Sequence, residues 1–289
     1  MAVTYEFSLY GGRARHETRT QDSMADTPDD HRHRYQLFRG SSDDITRPTP
    51  LWRYMIFEKF CWLVETSKLY HTRLDQFGDP FEGAVTEAYA RKRDAGELEP
   101  YFSRKELEPW IFKSLRLTQF ATCWHASEHE SDAQWKVYAP GGAGIAVVST
   151  MARMEQSVDL TGYQGILGQV EYVDFESHSM RRPPFGNVIR PGHLKRKSFE
   201  HEREVRGLIL TSPIVDGATS TMDDSYLERQ RLEQPRGISA KVDLNGLIQA
   251  IVISPIAPPF VEELVRIVTK RHGLDHLVRK SDLLKTPVY

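Results

Sequence analysis

The segment Phe199-Glu200-His201-Glu202-Arg203-Glu204-Val205-Arg206, which runs into the apolar residues Gly207-Leu208-Ile209-Leu210, decides the fold. Alternate residues of an extended strand share a face, so Glu202, Glu204 and Arg206 are expected to project together while Val205 points away. Three charges on one face indicate either a cleft, in which Arg206 holds one glutamate and the other meets a ligand, or a solvated edge strand with an ion pair. The octet alone does not separate these two interpretations.

A second informative segment is Leu69-Tyr70-His71-Thr72-Arg73-Leu74, which is typical of a short strand and is followed by Gly78-Asp79-Pro80. Glycine permits a positive φ, aspartate bonds its own backbone and proline fixes φ, so this tripeptide predicts a turn. Phe77 and Phe81 flank the turn and are expected to anchor it in the core. Upstream, the apolar residues between positions 56 and 64 recur with helical periodicity.

A third segment predicts a strand, a short helix, a glycine turn and a second strand over residues 120–148. Ser131 or Asp132 is a suitable helix cap. Trp135 and Tyr138 lie three residues apart, so they are expected to share one helical face. Such a pair either packs in the core or lends its polar edges to the wall of a cleft.

At these three places the chain resembles DUF2971, a bacterial family of uncharacterised proteins. The matching elements are Arg53-Tyr54, Gly78-Asp79-Pro80-Phe81-Glu82, Trp135-Lys136-Val137-Tyr138 and the octet that begins at Phe199. Phe199 replaces the tryptophan that is usual in the family, and Gly78 stands where asparagine is common. The resemblance covers roughly residues 50–255, and its specificity comes from the order of the motifs.

The order of parts also resembles the layout of mono-ADP-ribosyltransferases, which place a basic residue on an early strand and a glutamate on a late one. The resemblance implies a mixed, mostly antiparallel α+β fold, with NAD as substrate and no metal. It implies catalytic roles for Glu202, Glu204 and Arg206. The residues that it implies for NAD binding are Arg53, Tyr54, His71, Thr72, Arg73, Asp79, Phe81, Trp135 and Tyr138.

Two departures leave alternatives open within this resemblance. The Ser-Thr-Ser element of those enzymes is absent, and the early basic residue is Arg53, His71 or Arg73. In the implied chemistry, cleavage of the nicotinamide–ribose bond develops oxocarbenium character. One glutamate of the Glu-x-Glu pair stabilises that charge and the other addresses the acceptor, with the assignment open. A cation from the early strands holds the pyrophosphate.

The acceptor implied by this resemblance is a macromolecule, either a protein or a nucleic acid. By family analogy the enzyme would be a toxin or antiphage effector with an antitoxin or regulator as a partner. The basic residues between positions 181 and 197 either form a solvated surface or guide an anionic acceptor to the site.

Composition bounds these expectations. The chain has 289 residues of which 39% are hydrophobic, enough for one substantial core. A net charge of -2 carries no signature of a dedicated nucleic-acid binder. Cys61 and Cys123 are the only cysteines, which favours a reducing cytoplasm over a disulfide scaffold. The sequence shows no apolar run of about 20 residues and no signal-peptide pattern, so we expect a cytoplasmic protein without a membrane partner.

The chain is expected to consist of a polar N-terminal arm over residues 1–49 and one α+β domain over residues 50–289, with a helical insertion near residues 87–113. Alternating or apolar stretches predict further strands near residues 5–9, 170–174, 237–244 and 247–254. Helices are expected at 193–200 and 260–271, and residues 216–235 are expected to form a long loop or a short helical excursion.

Two other motifs and two alternative functions bear on the interpretation of the sequence. Cys123-Trp124-His125 with His129 lacks the second ligand pair of a structural zinc site, and His125 is better placed at a strand end. The Gly141-Gly142-Ala143-Gly144 run lacks the remaining residues of a P-loop or Rossmann turn and indicates a tight connection. The alternatives to a transferase are a non-enzymatic binding module and a metal-dependent nuclease that uses acidic residues such as Asp79, Glu82, Glu202 and Glu204.

Overall fold

The alternating and apolar stretches form strands in the computed structural model, which describes residues 33–38, 45–98, 108–180, 191–212 and 223–287. The strands are β1 (Gln36–Phe38), β2 (Pro50–Ile56), β3 (Lys68–Arg73), β4 (Gln119–Ala126), β5 (Gly144–Thr150), β6 (Val158–Asp159), β7 (Gln164–Gln169), β8 (Glu171–Val173), β9 (Leu194–Arg196), β10 (Glu204–Leu210), β11 (Gly237–Val242), β12 (Ala250–Ile253) and β13 (Val278–Lys280). The α-helices are α1 (Phe57–Thr66), α2 (Glu87–Asp94), α3 (Glu108–Thr118), α4 (Asp132–Tyr138), α5 (Met151–Ser157), α6 (Asp224–Glu233), α7 (Leu244–Leu247) and α8 (Pro259–Arg271).

Eleven of the strands in the described residues belong to one sheet. Its main path runs β1-β7-β10-β4-β2-β5-β12-β13, while β3 also pairs with β4 and β11 joins β3 to β6. The pairs β1–β7 and β12–β13 are parallel, and the other pairs in this sheet are antiparallel. β8 and β9 form a separate parallel pair. The predicted mixed, mostly antiparallel α+β fold is therefore confirmed.

The strand β4 has two partners along one edge. β10 pairs with β4 along the opposite edge over residues 119–125. On the edge that faces away from β10, Trp52 of β2 lies opposite His125, whereas Thr72 of β3 lies opposite Ala121. In the described part of the chain, residues 122–124 have no strand partner on this edge. We call this opening between β2 and β3 the fork, and it positions the site described below.

One face of the sheet carries the main hydrophobic core, into which Trp124 of β4 and Val205 of β10 project. The helix α8 covers part of this core with Val261, Val265 and Val268, because residues spaced by three and four lie on one helical face. Burial of apolar surface on this scale supplies most of the driving force for folding. The core therefore fixes β4 and β10, the two strands that carry the site.

The segment before the Glu-x-Glu motif differs from the prediction. A helix was expected at residues 193–200, but Leu194–Arg196 form β9 and Lys197–Glu202 form a 3-10 helix. Leu194 and Lys195 are both buried, and β9 pairs with β8. The requirement to bury these two consecutive residues against a neighbouring strand outweighed the weak helical pattern.

The other predicted elements are mostly present with shifted ends. The insertion near residues 87–113 contains α2 and the start of α3, which continues to Thr118. The strand expected at 237–244 ends at Val242, because Asp243 caps α7 by accepting a hydrogen bond from the backbone of Asn245. The strand expected at 247–254 begins only at Ala250. Residues 216–235 were expected to form a long loop or a short helical excursion, and their described part, from residue 223, contains the ten-residue helix α6, as in the second alternative.

Part of the predicted polar arm belongs to the fold. Residues 36–38 form β1 at the edge of the main sheet, and Tyr35 is buried in the core. The strand expected at residues 5–9 lies outside the described residues. Within the described ranges, no helix combines the length and the apolar character needed to cross a bilayer.

Candidate functional site

A cavity of about 410 Å³ opens at the fork, which is within the size range of small-molecule sites. Its lining comes from β2, α1, β3, β4 and α4, together with Glu202 and Glu204. Residues from the segment 52–77 and residues 202 and 204, which are far apart in the sequence, therefore line one cavity. Arg53, Tyr54, Thr72, Tyr138, Glu202 and Glu204, all of them residues that the sequence singled out, line it.

The two glutamates reach this cavity from different elements. Glu202 ends the 3-10 helix, Arg203 adopts a left-handed conformation with φ 41°, and Glu204 begins β10. The expectation that Glu202, Glu204 and Arg206 share one face of a strand is therefore wrong for Glu202. Both carboxylates nevertheless converge on the ammonium group of Lys195, which contacts Glu202 and lies 3.1 Å from Glu204 Oε2.

Arg206 is fully buried and uses its whole guanidinium group. Its Nη atoms donate to Glu82 at 2.7 and 2.9 Å, and Nε and Nη2 donate to Glu204 at 2.8 and 3.0 Å. The carbonyl of Gly192 accepts a further hydrogen bond at 2.9 Å. Burial alone would lower the pKa of Arg206, but Glu204 and Glu82 outweigh burial and raise it. Arg206 thus orders the carboxylates from behind and does not line the cavity.

Glu204 is held as rigidly as Arg206. Burial alone would raise its pKa, but Arg206 and Lys195 outweigh burial and lower the pKa to about 2. Each carboxylate oxygen accepts a hydrogen bond from Arg206, and the backbone N–H of Glu204 donates to the hydroxyl of Tyr172 at 2.7 Å. Glu204 is consequently an ionised carboxylate with little freedom to move.

Glu202 is the most accessible carboxylate of the cluster. Its side chain is 15% exposed, against 5% for Glu204 and 1% for Glu82. Its Oε2 contacts Lys195, while Oε1 accepts a long 3.3 Å hydrogen bond from the hydroxyl of Tyr138, which is itself 45% exposed. Glu202 can therefore exchange a weak contact for one to a ligand.

The opposite wall of the cavity is basic and aromatic. Arg53 donates to the hydroxyl of Thr122 and, at 3.4 Å, to the carbonyl of Tyr70, and it lies 5.8 Å from the ring of Trp124. Burial lowers its pKa. Within the described residues, neither Arg53 nor its cavity neighbours Lys59 and Lys68 has a carboxylate partner.

Two further predicted residues, His71 and Arg73, face away from the cavity. Successive side chains of β3 alternate, so Lys68, Tyr70 and Thr72 share one face and line the cavity, whereas His71 and Arg73 are not among its lining residues. His71 contacts the hydroxyl of Tyr35, and burial lowers its pKa to about 3, which keeps it neutral. Arg73 binds Asp75 at 2.6 Å and the carbonyl of Gln234 at 2.7 Å. The structure does not bring these two residues to the site.

The predicted turn residues Asp79 and Phe81 support the site from outside. Asp79 forms an ion pair with Arg196 at 2.9 Å and caps the backbone N–H of Phe81 at 3.1 Å. The ring of Phe81 packs edge-on against Phe175. Neither turn residue lines the cavity, but together they fix the position of Glu82, which binds Arg206.

Of the two aromatic residues on α4, one packs in the core and the other lines the cavity. Ser131 caps the helix by accepting from the backbone of Gln134, as the sequence suggested. Trp135 is buried, packs edge-on against Tyr54 at 4.8 Å and donates to Glu130 at 2.6 Å, so it belongs to the core. Tyr138 lines the cavity instead.

Sequence reasoning missed Lys195 as the residue that joins the carboxylates. It lay within a basic run that includes Arg196 and Lys197, where the usual interpretation is a solvated surface. The one available signal was its place directly after Leu194, at a position that a strand buries. Lys59 and Lys68 were also missed, because isolated lysines carry no motif.

The acidic cluster is compensated by protein cations. Asp79 pairs with Arg196, while Glu82, Glu202 and Glu204 pair with Lys195 or Arg206. Across the part of the chain that the structure describes, no three His, Cys, Asp or Glu side chains are arranged to hold a metal ion. The arrangement of the four acids is that of a salt-bridge network.

Comparisons with known proteins give distant likenesses. No protein-family model and no curated protein matches the chain, so its resemblance to DUF2971 stays a prediction. Two solved structures of DarT from Thermus sp. 2.9 are similar over 82% of this chain. The complex with ADP-ribosylated ssDNA is 11% identical, is covered over 95% of its length and gives a TM-score of 0.36. The complex with carba-NAD+ is 10% identical, is covered over 94% of its length and gives a TM-score of 0.30. Likenesses this distant do not assign a function.

Proposed function

We propose that the chain is an enzyme that binds NAD at the fork and transfers its ADP-ribosyl group to a macromolecular acceptor, a protein or a nucleic acid. The observation that carries this proposal is the separation of charge across the cavity. One wall has cations that meet no carboxylate within the described ranges, and the other has an accessible carboxylate held in a rigid network. A dinucleotide with an anionic middle and a cationic end complements such a cavity.

The basic wall is suited to the pyrophosphate. A partly buried charge without an ionic partner costs free energy, and among the described residues Arg53 donates hydrogen bonds only to a hydroxyl and a carbonyl. An anionic ligand that pairs with Arg53 recovers that cost through charge-assisted hydrogen bonds. Lys59 and Lys68 line the same wall and add attraction for phosphate. Trp62 and Tyr70, whose perpendicular rings have centroids 6.0 Å apart, are both partly exposed and each offers an aromatic face to a base or a nicotinamide ring.

The acidic wall is suited to the transition state. Departure of nicotinamide leaves positive charge on the ribosyl carbon, and a nearby carboxylate stabilises that charge. We assign this role to Glu202, because it is the most exposed carboxylate and its Oε1 has only a long contact to Tyr138. Glu204 and Arg206 then act as positioning residues. Arg206 holds Glu204, Glu204 binds Lys195, and Lys195 in turn holds Glu202.

This geometry favours the transferase over the nuclease. A divalent cation at Glu202 and Glu204 would have to compete with Lys195, whose ammonium group contacts both. The role as a toxin or antiphage effector, with an antitoxin or regulator as a partner, is part of the proposal and rests on family analogy alone.

The test is incubation with NAD labelled in its adenylate part, with single-stranded DNA, RNA and protein supplied as separate acceptors. Release of nicotinamide and transfer of label are measured for the native chain, for Glu202→Gln and for Glu200→Gln. Glu200 is exposed on the same 3-10 helix as Glu202 and serves as the matched control. Loss of one preorganised electrostatic group costs about 10²–10³-fold in rate, so Glu202→Gln should lose that much.

Two results would overturn the proposal. One is a native chain that releases no nicotinamide and labels none of the three acceptor classes. The other is a Glu202→Gln variant that is as active as the native chain. Unchanged thermal unfolding of Glu202→Gln would show that its loss of activity does not come from loss of the fold.

A further inference from the structure

His125 occupies a central position in the site that the proposed mechanism leaves unused. It lies on β4 between Trp52 of β2 and Glu204 of β10 in the register of the sheet. It lines the cavity, and its Nδ1 is 2.6 Å from the backbone carbonyl oxygen of Glu202. The residue that presents the accessible carboxylate therefore also orients this imidazole.

The hydrogen bond fixes which nitrogen carries the proton. A carbonyl oxygen only accepts, so Nδ1 donates and the neutral ring has its lone pair on Nε2. Among the described residues, Nε2 has no hydrogen-bond partner. Burial lowers the pKa of His125 from its ordinary 6.5, with Arg203 and His201 lowering it further and Glu202 opposing them. The ring is consequently neutral and able to accept a proton at neutral pH.

Other groups around the ring do not compete for this role. The phenol of Tyr54, whose ring centre is 6.5 Å from that of His125, accepts a hydrogen bond from the backbone of Ser131 and has a raised pKa because of burial. Burial also raises the pKa of Tyr138. Glu204, opposite His125 on β10, is ionised and bound by Arg206 and Lys195. His125 is thus the neutral base at this wall of the cavity.

We propose that His125 is a catalytic residue, the general base that deprotonates the acceptor group in the transfer reaction. This inference rests on the proposed function. As the C1′–nitrogen bond breaks, nicotinamide leaves with its electron pair. A lone pair of the acceptor oxygen or nitrogen forms the new bond to C1′, and the proton of that group passes to Nε2 and then to water. Charge is balanced, because NAD enters with a cationic nicotinamide and one proton is released.

The proposed role allows the effect of losing His125 to be distinguished from the effect of losing Glu202. Glu202 acts on the ribosyl group whichever nucleophile attacks it, whereas His125 acts on the attacking group. Loss of His125 should therefore slow transfer while leaving the affinity for NAD unchanged. Loss of a general base typically costs about 10²–10⁴-fold in rate.

The decisive variants are His125→Asn and His129→Gln. The amide nitrogen of asparagine stands close to where Nδ1 stands, so His125→Asn retains a donor for the Glu202 carbonyl and removes the base. His129 is exposed, and it lies four residues further along the chain, so His129→Gln is the matched control. For each chain the rate of transfer is measured from pH 5 to pH 9, with KM for NAD and thermal unfolding measured alongside.

We expect the native rate to fall as the solution is acidified through a pKa below 6.5, because protonated His125 cannot accept a proton. His125→Asn should lose about 10²-fold or more in kcat, should lose that acid limb and should keep its KM for NAD. His129→Gln should match the native chain in all three. An active native chain with a His125→Asn variant of equal rate and equal pH profile would overturn the inference and leave the proposed function intact. A native chain that does not cleave NAD would overturn both.

Discussion

The two walls of the cavity show opposite ways of placing charge. On the acidic wall, Glu82, Glu202 and Glu204 are matched by Lys195 and Arg206, and most of this network is buried. On the basic wall, Arg53 is half-buried with only neutral partners, and Lys59 and Lys68 are exposed. The charges of the first wall are compensated within the folded protein, whereas those of the second have no carboxylate partner in the part of the chain that the structure describes.

This difference separates stability from ligand binding. The most deeply buried residues of the acidic wall, Glu82, Glu204 and Arg206, should be needed to fold, because removal of one leaves the others buried and unpaired. Residues of the basic wall should be needed to bind, and their removal should not harm the fold. Four experiments test whether the two walls behave so differently.

The largest effect is expected for Arg206→Met. This change leaves Glu82 and Glu204 buried without their main cation, which costs about 3–5 kcal/mol of the free energy of unfolding. Arg196→Met is the control, since Arg196 also pairs with a carboxylate, Asp79, but has a side chain that is 39% exposed. Denaturant unfolding should show a far smaller loss for the control. Equal losses would contradict the contrast between the walls.

The next effect is on acid stability. The pKa of Glu204 is lowered from 4.5 to about 2, because Arg206 and Lys195 outweigh the opposing effect of burial. A carboxylate whose pKa is lowered by folding contributes stability that is present above its unfolded pKa and is lost as the pH falls through its folded pKa. The free energy of unfolding should therefore decline between pH 4.5 and pH 2. The same titration of Glu204→Gln should lack this component, whereas Glu200→Gln should retain it.

A smaller and opposite effect is expected for Arg53→Met. Removal of a charge that has no carboxylate partner should leave the melting temperature unchanged or raised, because the cost of its burial disappears. Affinity for ADP-ribose, measured by calorimetry, should fall about 10- to 100-fold with the loss of a charge-assisted contact worth about 1.5–3 kcal/mol. A destabilised variant with normal affinity for ADP-ribose would contradict the prediction that Arg53 serves ligand binding and not the stability of the fold.

The smallest effect is expected for Lys59→Ala and Lys68→Ala. Both lysines are exposed, so each should weaken ADP-ribose binding only a few-fold at low ionic strength. The difference from the native chain should shrink as salt is added, because salt screens exposed charges over about 10 Å at 0.1 M. An affinity difference that persists at high salt would mean that these lysines make close contacts to the ligand.

The fold could largely be predicted because its elements follow from local patterns. The apolar period of α1 and the cap at Ser131 appear where the sequence indicated, and the turn begins at Pro80, the last residue of the predicted tripeptide. The error at residues 193–200 had a non-local cause. β9 exists because β8 lies beside it and because Lys195 finds three carboxylates, which no local pattern records.

The site could be predicted only in outline. Sequence motifs marked Arg53, Thr72, Tyr138 and the Glu-x-Glu pair, and these do line one cavity. Strand alternation explains why His71 and Arg73 lie on the other face of β3 from Thr72. The sequence alone does not show which of the two faces is turned towards the cavity, because that depends on the packing of the core. The distinct environments of Glu202 and Glu204 depend on the left-handed residue Arg203, and nothing in the sequence predicts a positive φ for an arginine. Their catalytic and binding roles stay predictions.

The fork has a consequence for how an occupant would be detected. β2 and β3 each pair with only one end of β4, and Arg53 spans the gap between them, from β2 to the hydroxyl of Thr122 and the carbonyl of Tyr70. A small molecule bound in the gap would add contacts between β2, β3 and β4. At a concentration one hundred times its Kd, it would stabilise the folded chain by about 2.7 kcal/mol. Resistance to heat would thus report which nucleotides enter the gap before any reaction is assayed.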